Sequence, residues 1–109
     1  MNFNEYQTAA QRTSSTKLEL DKLVNGALGI AGEAGEVADY IKKVLYQGHK
    51  MDALKLSEEL GDVLWYISEI ATAINLPLGA IAKDNIEKLK KRYPNGFNSY
   101  NSLHREGEK

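Results

Sequence analysis

Four acidic residues fall into two pairs with the same spacing. Glu33 and Glu36 are three residues apart, and Glu59 and Asp62 repeat that spacing further along the chain. Residues three apart lie on one face of a helix, so each pair would present two carboxylates together. Carboxylates are the side chains that hard divalent cations prefer as ligands. The pattern therefore points to chemistry that depends on a metal ion.

The composition excludes several other kinds of site. The 109 residues include no cysteine, which rules out disulfides, zinc–thiolate sites and thiol nucleophiles. His49 and His104 are too few and too far apart for a histidine metal site. The net charge of −1 does not indicate a nucleic-acid or membrane-surface binder. No apolar run approaches the roughly 20 residues of a membrane span, and the N-terminus does not resemble a signal peptide. We expect one soluble, cytoplasmic protein.

The elements that carry the carboxylates have the periodicity of helices. A first long helix is predicted to run to about Tyr46, where Gly48 ends it, and a second to run from about Asp52 to Asn75. Apolar residues alternate steps of four and three along both. In the first helix they are Leu23, Ala27, Ile30, Ala34, Val37, Ile41 and Val44, and in the second Leu56, Leu60, Val63, Ile67, Ile70 and Ile74.

Shorter helices are predicted on either side of this pair. One covers about residues 4–12, with Asn4 as its N-cap. Thr16 and Glu19 have the spacing of a capping box at the start of the first long helix. A last helix follows Pro77 and ends at about Lys91 or Arg92, before a polar tail of low helical signal.

The fold class that follows is all-α. It is a helical bundle of two long antiparallel helices plus shorter N- and C-terminal helices, which we expect oligomerisation to complete because so short a chain buries a modest core. Residues 1–97 are predicted to form the domain and residues 98–109 a polar C-terminal tail.

The two acidic pairs are predicted to meet. On a helical wheel, Glu33 and Glu59 lie about 70° from the centre of their apolar stripes, and Glu36 and Asp62 about 130°, in the same sense. Because a short connection makes the two helices antiparallel, equal offsets fall on the same side of the pair. Both cross-helix pairings are centred between Gln47 and Gly48, so their axial levels also agree.

Four converging carboxylates repel one another, and a divalent cation relieves that repulsion. Oxygen ligands without histidine or cysteine favour Mg²⁺, with Mn²⁺ as a possible substitute. The alternative is a solvated acidic face paired with lysines four residues on. That alternative is disfavoured because Glu36, Glu59 and Asp62 are followed at that spacing by Tyr40, Val63 and Tyr66.

Four glycines recur every third residue before and within the first acidic pair: Gly26, Gly29, Gly32 and Gly35. Each costs a helix about 1 kcal/mol relative to alanine. We interpret Gly26 and Gly29 as a close helix contact. For Gly32 and Gly35 we favour close approach of another helix or of a phosphate chain.

Other side chains are candidates for substrate contact. Lys43 is on the same side of its helix as Glu36, and Tyr66 borders the acidic patch. Asn85 and Lys88 share a face of the last helix that could hold phosphate oxygens, although such a run is as often a solvated helix end. Trp65 is interpreted as a packing residue against another helix or subunit.

The sequence segments around the acidic pairs resemble those of the MazG-like nucleoside triphosphate pyrophosphohydrolases. Glu33-Ala-Gly-Glu36 with Glu59-Leu-Gly-Asp62 is similar to the ExxE…ExxD signature of that family. The similarity extends over roughly residues 3–97. It includes four segments: Glu5-Tyr6-Gln7 with Ala10 and Arg12-Thr13, Leu28 to Asp39, Glu58 to Tyr66, and Asn85 to Pro94.

The resemblance implies an all-α enzyme that acts as a homodimer or homotetramer. It implies Mg²⁺-dependent hydrolysis of (d)NTPs between the α and β phosphates, for nucleotide pool sanitation or control. The metal ligands would be Glu33, Glu36, Glu59 and Asp62. Either Glu58 or a ligand such as Glu36 would activate water, and Lys43, Tyr66, Asn85 and Lys88 would contact the nucleotide.

Position 43 carries lysine where some relatives have an aromatic residue, which puts a cytosine-specific pocket in doubt. Restricted specificity, for example for dUTP or dCTP, stays open. A non-catalytic metal-stabilised helical assembly module is the alternative from another functional class. A nucleic-acid-binding protein is disfavoured because the basic residues cluster at one helix end.

Overall fold

The computed structural model describes residues 1–105, and the regular elements in that range are helices. They are α1 (Phe3–Ala10), a 3₁₀ turn (Gln11–Thr13), α2 (Glu19–Tyr46), α3 (Ala53–Ala73), α4 (Leu78–Arg92) and α5 (Ser99–Leu103). The chain divides into two compact units, Met1–Leu78 and a second that starts at Gly79. The predicted all-α class is confirmed. Positions 106–109 of the predicted tail lie outside the described residues.

Helices α2 and α3 form an antiparallel hairpin, as predicted. A Cβ atom on Gly26 would touch Ile70, and one on Gly29 would touch the ring of Tyr66. Nearer the turn, the hydroxyl of Tyr40 contacts the connection between the helices. Because rising positions on α2 face falling positions on α3, the two helices run in opposite directions.

The turn between the long helices is fixed by three local features. Gly48 has φ of +74°, a conformation that glycine adopts without steric cost. The Asp52 carboxylate accepts hydrogen bonds from the backbone N–H groups of Leu54 and Lys55 and so caps α3. The buried Tyr40 hydroxyl donates to the Lys50 carbonyl (3.1 Å) and accepts from the Asp52 N–H (2.6 Å). The predicted ends of both helices at this turn agree with these contacts.

The predicted N-caps of α1 and α2 are wrong. Asn2, not Asn4, caps α1, and its side chain forms a capping box with Glu5. Helix α2 begins at Glu19 after an extended Leu18, without a side-chain cap. Thr16 does not cap α2, because its hydroxyl and its carbonyl are engaged by the side chains of Glu69 and Lys22.

In the second unit, α4 ends at Arg92 as predicted. The sequence predicted little helix in the tail. That prediction is wrong over Ser99–Leu103, which forms α5. Asn98 caps this helix by accepting a hydrogen bond from the Asn101 N–H (2.7 Å). The ring of Tyr100 stacks on His104 with ring centroids 4.0 Å apart.

Large apolar side chains are abundant on the surface. Leu20, Val24 and Leu28 are spaced four apart on α2, and Leu20 and Leu28 are each 69% exposed. The fully buried apolar residues are instead mostly small, such as Ala71 and Ala73. Within residues 1–105, no single helix is long and apolar enough to cross a membrane, although α3 and α4 taken as a bent pair pass by length and composition.

The glycines of α2 divide into two groups. A Cβ on Gly26 or Gly29 would collide with Ile70 or with the ring of Tyr66, so the predicted close helix contact is confirmed. A Cβ on Gly32 or Gly35 would meet no described atom within 4 Å. No described helix approaches them, and the approach of a phosphate chain stays a prediction.

This division predicts opposite effects of the same substitution. Gly29→Ala should lower the free energy of unfolding by roughly 1–3 kcal/mol, because the Tyr66 ring must move. Gly32→Ala should raise it by up to about 1 kcal/mol through helix propensity alone. Urea denaturation of both variants measures the difference. A loss of stability in Gly32→Ala would mean that its surroundings are not open.

Candidate functional site

Three of the four predicted ligands converge between α2 and α3. Glu33, Glu59 and Asp62 each offer a carboxylate oxygen, and these oxygens all lie within 4.8 Å of one another. The antiparallel hairpin brings them together, since one comes from α2 and the other two from adjacent turns of α3. We call these three residues the carboxylate cluster.

The other carboxylates of the cluster act electrostatically on Glu33. A hydrogen bond in which Glu33 donates to Glu59 raises the pKa of Glu33 above its usual value, and burial and the negative charges of Glu59, Asp62 and Glu36 raise it further. The raised pKa of Glu33 reflects the repulsion between neighbouring carboxylates. A divalent cation would relieve that repulsion, and the all-oxygen donor set fits a hard metal ion.

Glu36 is not part of this group of three. It is exposed, and it lines a cavity of about 80 Å³ with Glu59 and Lys43. Glu59 belongs both to the carboxylate cluster and to this cavity, so Glu36 lies next to the cluster. Its charge also contributes to the raised pKa of Glu33.

A larger cavity of about 340 Å³ opens beside the cluster. Its lining combines two cluster carboxylates with a hydroxyl and two aromatic rings: Glu33, Asp62, Thr13, Trp65 and Tyr66. The two rings meet edge to face, with centroids 5.2 Å apart. Tyr66 is where the sequence placed it, at the border of the acidic patch. We call this space the cluster cavity.

A second, mostly apolar cavity of about 370 Å³ is formed at the N-terminus. It is lined by Met1, Asn2, Phe3, Tyr6 and Leu64. Burial raises the pKa of the Tyr6 phenol, and the negative charge of Asp62 adds to that effect. Tyr6 is therefore a neighbour of the cluster that the sequence analysis did not assign to the site.

The other predicted site residues are distributed over both units. Glu58 is exposed on α3, next to Glu59 in the chain. The Lys43 ammonium pairs with Asp39 at 2.8 Å, and that hydrogen bond raises its pKa. Asn85 and Lys88 are exposed on α4 in the second unit. Their contact with a nucleotide stays a prediction.

Sequence reasoning missed a buried acid beyond the site. Glu69 is fully buried on α3, and its carboxylate pairs with the Lys22 ammonium at 3.3 Å. It also accepts hydrogen bonds from Gln11, Ser14 and Asn25 at 3.0–3.3 Å. Its spacing of seven residues from Asp62 was the available signal, because that spacing returns to the same helix face.

Comparison with known proteins agrees with this geometry. The sequence model of the MazG nucleotide pyrophosphohydrolase domain matches residues 25–97. The chain belongs to this family. The matched MazG region contains α3, most of α2 and the whole carboxylate cluster. The resemblance to the MazG-like family that the sequence motifs indicated is thereby confirmed.

Among curated proteins, the chain is similar to the Gene 37 protein of Mycobacterium phage L5. The two are 36% identical over 76 residues, which is 63% of this chain and 64% of the relative. The chain thus matches less than two thirds of that relative's length. No solved structure matches the chain.

Proposed function

We propose that this MazG-family protein hydrolyses (d)NTPs at the bond between the α and β phosphates, with Mg²⁺ as cofactor. Water would add to the α phosphorus, and the products would be a (d)NMP and pyrophosphate. In the cell this activity would serve nucleotide pool sanitation or control. Mn²⁺ is the expected substitute ion, because it accepts the same oxygen ligands.

The carboxylate cluster is the observation that carries this proposal. Its three oxygens come from the two helices that the MazG domain model matches. Both helices are long and run side by side, so they hold the ligands in place before a substrate arrives. The raised pKa of Glu33, caused first by its hydrogen bond with Glu59, marks a site whose charge needs compensation.

Each acidic residue has a proposed role. Glu33, Glu59 and Asp62 would hold the metal, with Glu36 completing the set from the adjoining cavity. When bound, the metal would neutralise phosphate charge and orient the attacking water. Either Glu58 or Glu36 would accept the proton of that water as general base.

The substrate-binding residues proposed from the sequence keep their roles. Tyr66 borders the cluster cavity, and Lys43 lies on the cavity that Glu36 lines. An ammonium group there can pair with phosphate oxygens, although it would first have to leave Asp39. Asn85 and Lys88 would contribute from α4.

We also propose that the protein works as a homo-oligomer, either a dimer or a tetramer. The row formed by Leu20, Val24 and Leu28 leaves α2 with an exposed apolar face. Contiguous apolar surface of this kind is typical of protein–protein interfaces. A second copy would bury it and enlarge the small core of the single chain.

The proposed reaction is tested by incubating the protein with eight ribo- and deoxyribonucleoside triphosphates and Mg²⁺. We expect monophosphate and pyrophosphate in equal amounts, and no products after EDTA is added. The ranking of the eight substrates measures base and sugar preference. Diphosphate with orthophosphate would show cleavage between the β and γ phosphates and would contradict the proposed bond.

An absence of products from all eight would contradict the proposed reaction. If EDTA then changed the oligomeric state, the non-catalytic assembly module would be favoured instead. The exposed apolar face of α2 fits that alternative as well as it fits an oligomeric enzyme. Product analysis therefore has to come before any measurement of assembly.

A further inference from the structure

The indole of Trp65 is one wall of the cluster cavity. Trp65 is half-buried, and it lines this space together with Glu33 and Asp62. It follows Asp62 by three residues on α3, so both side chains occupy the same face of the helix. An aromatic ring and a pair of carboxylates thus line the same cavity.

The orientation of this indole is fixed by hydrogen bonds. Its Nε1–H lies 3.1 Å from the Ala10 carbonyl and 3.0 Å from the Thr13 hydroxyl oxygen. The Thr13 hydroxyl in turn donates to the same Ala10 carbonyl at 3.1 Å. These three contacts close a triangle that ties the ring to the end of α1 and the 3₁₀ turn.

The segment that follows Thr13 is itself anchored. The Ser14 hydroxyl lies 3.0 Å from both carboxylate oxygens of the buried Glu69. The Lys22 ammonium donates to the Thr16 carbonyl at 2.7 Å while it pairs with Glu69. The residues that directly follow Thr13 are thus held by the Lys22–Glu69 ion pair, which preorganises the wall before any ligand binds.

The chemistry of the cluster cavity matches the two ends of a nucleotide. Its carboxylates suit a metal-bound polyphosphate, and its aromatic wall suits the flat face or edge of a base. The cavity lined by Phe3, Tyr6 and Leu64 is similar in size but has no carboxylate in its lining. The cluster cavity is therefore the better place for the nucleoside.

We propose that Trp65 is the side chain that packs against the nucleoside, and that Thr13 is a positioning residue that holds the indole in its binding orientation. This inference rests on the proposed function, since it takes a nucleoside triphosphate as the ligand. It assigns to Trp65 a ligand contact in addition to the packing role that the sequence suggested.

Because Trp65 is the only tryptophan of the sequence, its fluorescence reports on this wall alone. We would measure acrylamide quenching of the wild-type protein in Mg²⁺ with the α,β-imido analogue of each of the eight triphosphates. A bound analogue should shield the indole and lower the quenching constant. Pyrophosphate with Mg²⁺ is the matched control, because it can occupy the cluster but has no nucleoside to cover the ring.

Two variants test the assigned roles by steady-state kinetics. Trp65→Leu should raise KM roughly ten-fold through the lost aromatic contact. Thr13→Val keeps the shape of the side chain but removes the hydroxyl, and it should raise KM roughly three- to ten-fold with kcat retained. Thr8→Val is the matched control, since the Thr8 hydroxyl donates to the Asn4 carbonyl on exposed α1, and it should change neither constant.

The outcomes separate this inference from the proposed function. Hydrolysis without shielding by any analogue would overturn the role of Trp65 and leave the reaction intact. Shielding without hydrolysis would support the nucleoside wall and contradict the reaction. If both shielding and hydrolysis were absent, the role of Trp65 and the proposed reaction would both be overturned. If Thr13→Val lowered kcat and left KM unchanged, the positioning role of Thr13 would be wrong.

Discussion

Asp62→Asn should abolish nucleotide hydrolysis while the helical circular dichroism is retained. The substitution keeps the size of the side chain and removes one negative charge from the carboxylate cluster. Because metal-ion catalysis supplies several kcal/mol of transition-state stabilisation, we expect kcat to fall by about 1,000-fold or more. Product analysis by chromatography measures the loss of turnover, and titration of Mg²⁺ by calorimetry measures the loss of metal binding.

Glu36→Gln tests whether the fourth predicted ligand takes part in turnover. Glu36 lies outside the group of three, yet it adjoins Glu59 in the small cavity. We expect Glu36→Gln to abolish turnover as well, because metal binding draws in the fourth carboxylate or uses it as the base. Asp21→Asn is the control, since Asp21 is exposed in the first turn of α2, far along the helix from the cluster.

Retained turnover in both Asp62→Asn and Glu36→Gln would contradict the metal site. Loss in Asp62→Asn alone would restrict the ligands to the carboxylate cluster. In that case Glu58 would be favoured as the general base. Equal losses of activity and of helical signal would instead indicate unfolding, and Asp21→Asn shows how far the removal of one charge affects the fold.

The carboxylate cluster was predictable because it depends on two regular quantities. A helix rotates by about 100° per residue, and a short connection makes neighbouring helices antiparallel. Those two facts place Glu33 opposite Glu59 and Asp62. They give the direction of each side chain but not its reach. Glu36 and Asp62 share an offset of about 130° from their apolar stripes, yet Asp62 joins the cluster and Glu36 lies beside it, so the angle alone does not decide which carboxylate reaches the others.

The helix ends at the turn between α2 and α3 were predictable from local signals, whereas the start of α2 was not, and the start of α1 was missed although Asn2 and Glu5 form a local capping box. Gly48 and Asp52 act through their own backbone and through neighbours two or three residues away, so the turn between α2 and α3 was found. Thr16 and Glu19 have capping-box spacing, yet the Thr16 hydroxyl approaches Glu69, which is 53 residues away. A contact at that separation has no periodic signature in the sequence.

Lys22→Met should destabilise the protein strongly, although Lys22 lies outside the cluster. Lys22 pairs with Glu69, whose side chain is 0% exposed. Removing one partner leaves a buried charge uncompensated, which costs roughly 3–5 kcal/mol. Lys42→Met is the matched control. Its ion pair with Asp39 spans a similar distance but is exposed, so it should cost less than about 1 kcal/mol.

Replacing both partners should not restore stability fully. Apolar substitution of a buried ion pair is often neutral, but Glu69 also accepts hydrogen bonds from Gln11, Ser14 and Asn25. In Lys22→Met with Glu69→Leu, those three donors lose their acceptor. Urea denaturation of both single variants and the double variant yields the coupling energy directly. A coupling energy near zero would contradict the ion pair as a stabilising contact.

The same network predicts how stability depends on pH. Burial alone would raise the pKa of Glu69, but hydrogen bonds from Gln11 and Ser14 and the charge of Lys22 outweigh it, so the pKa lies below its ordinary value of 4.5. A carboxyl group with a lowered folded-state pKa stabilises the fold above its unfolded pKa, and that contribution is lost as the pH falls through the folded value. Wild type should therefore lose stability in acid faster than Glu69→Leu, because the variant has no carboxylate at this position to protonate. Parallel pH profiles of unfolding free energy would show that Glu69 is not the group responsible.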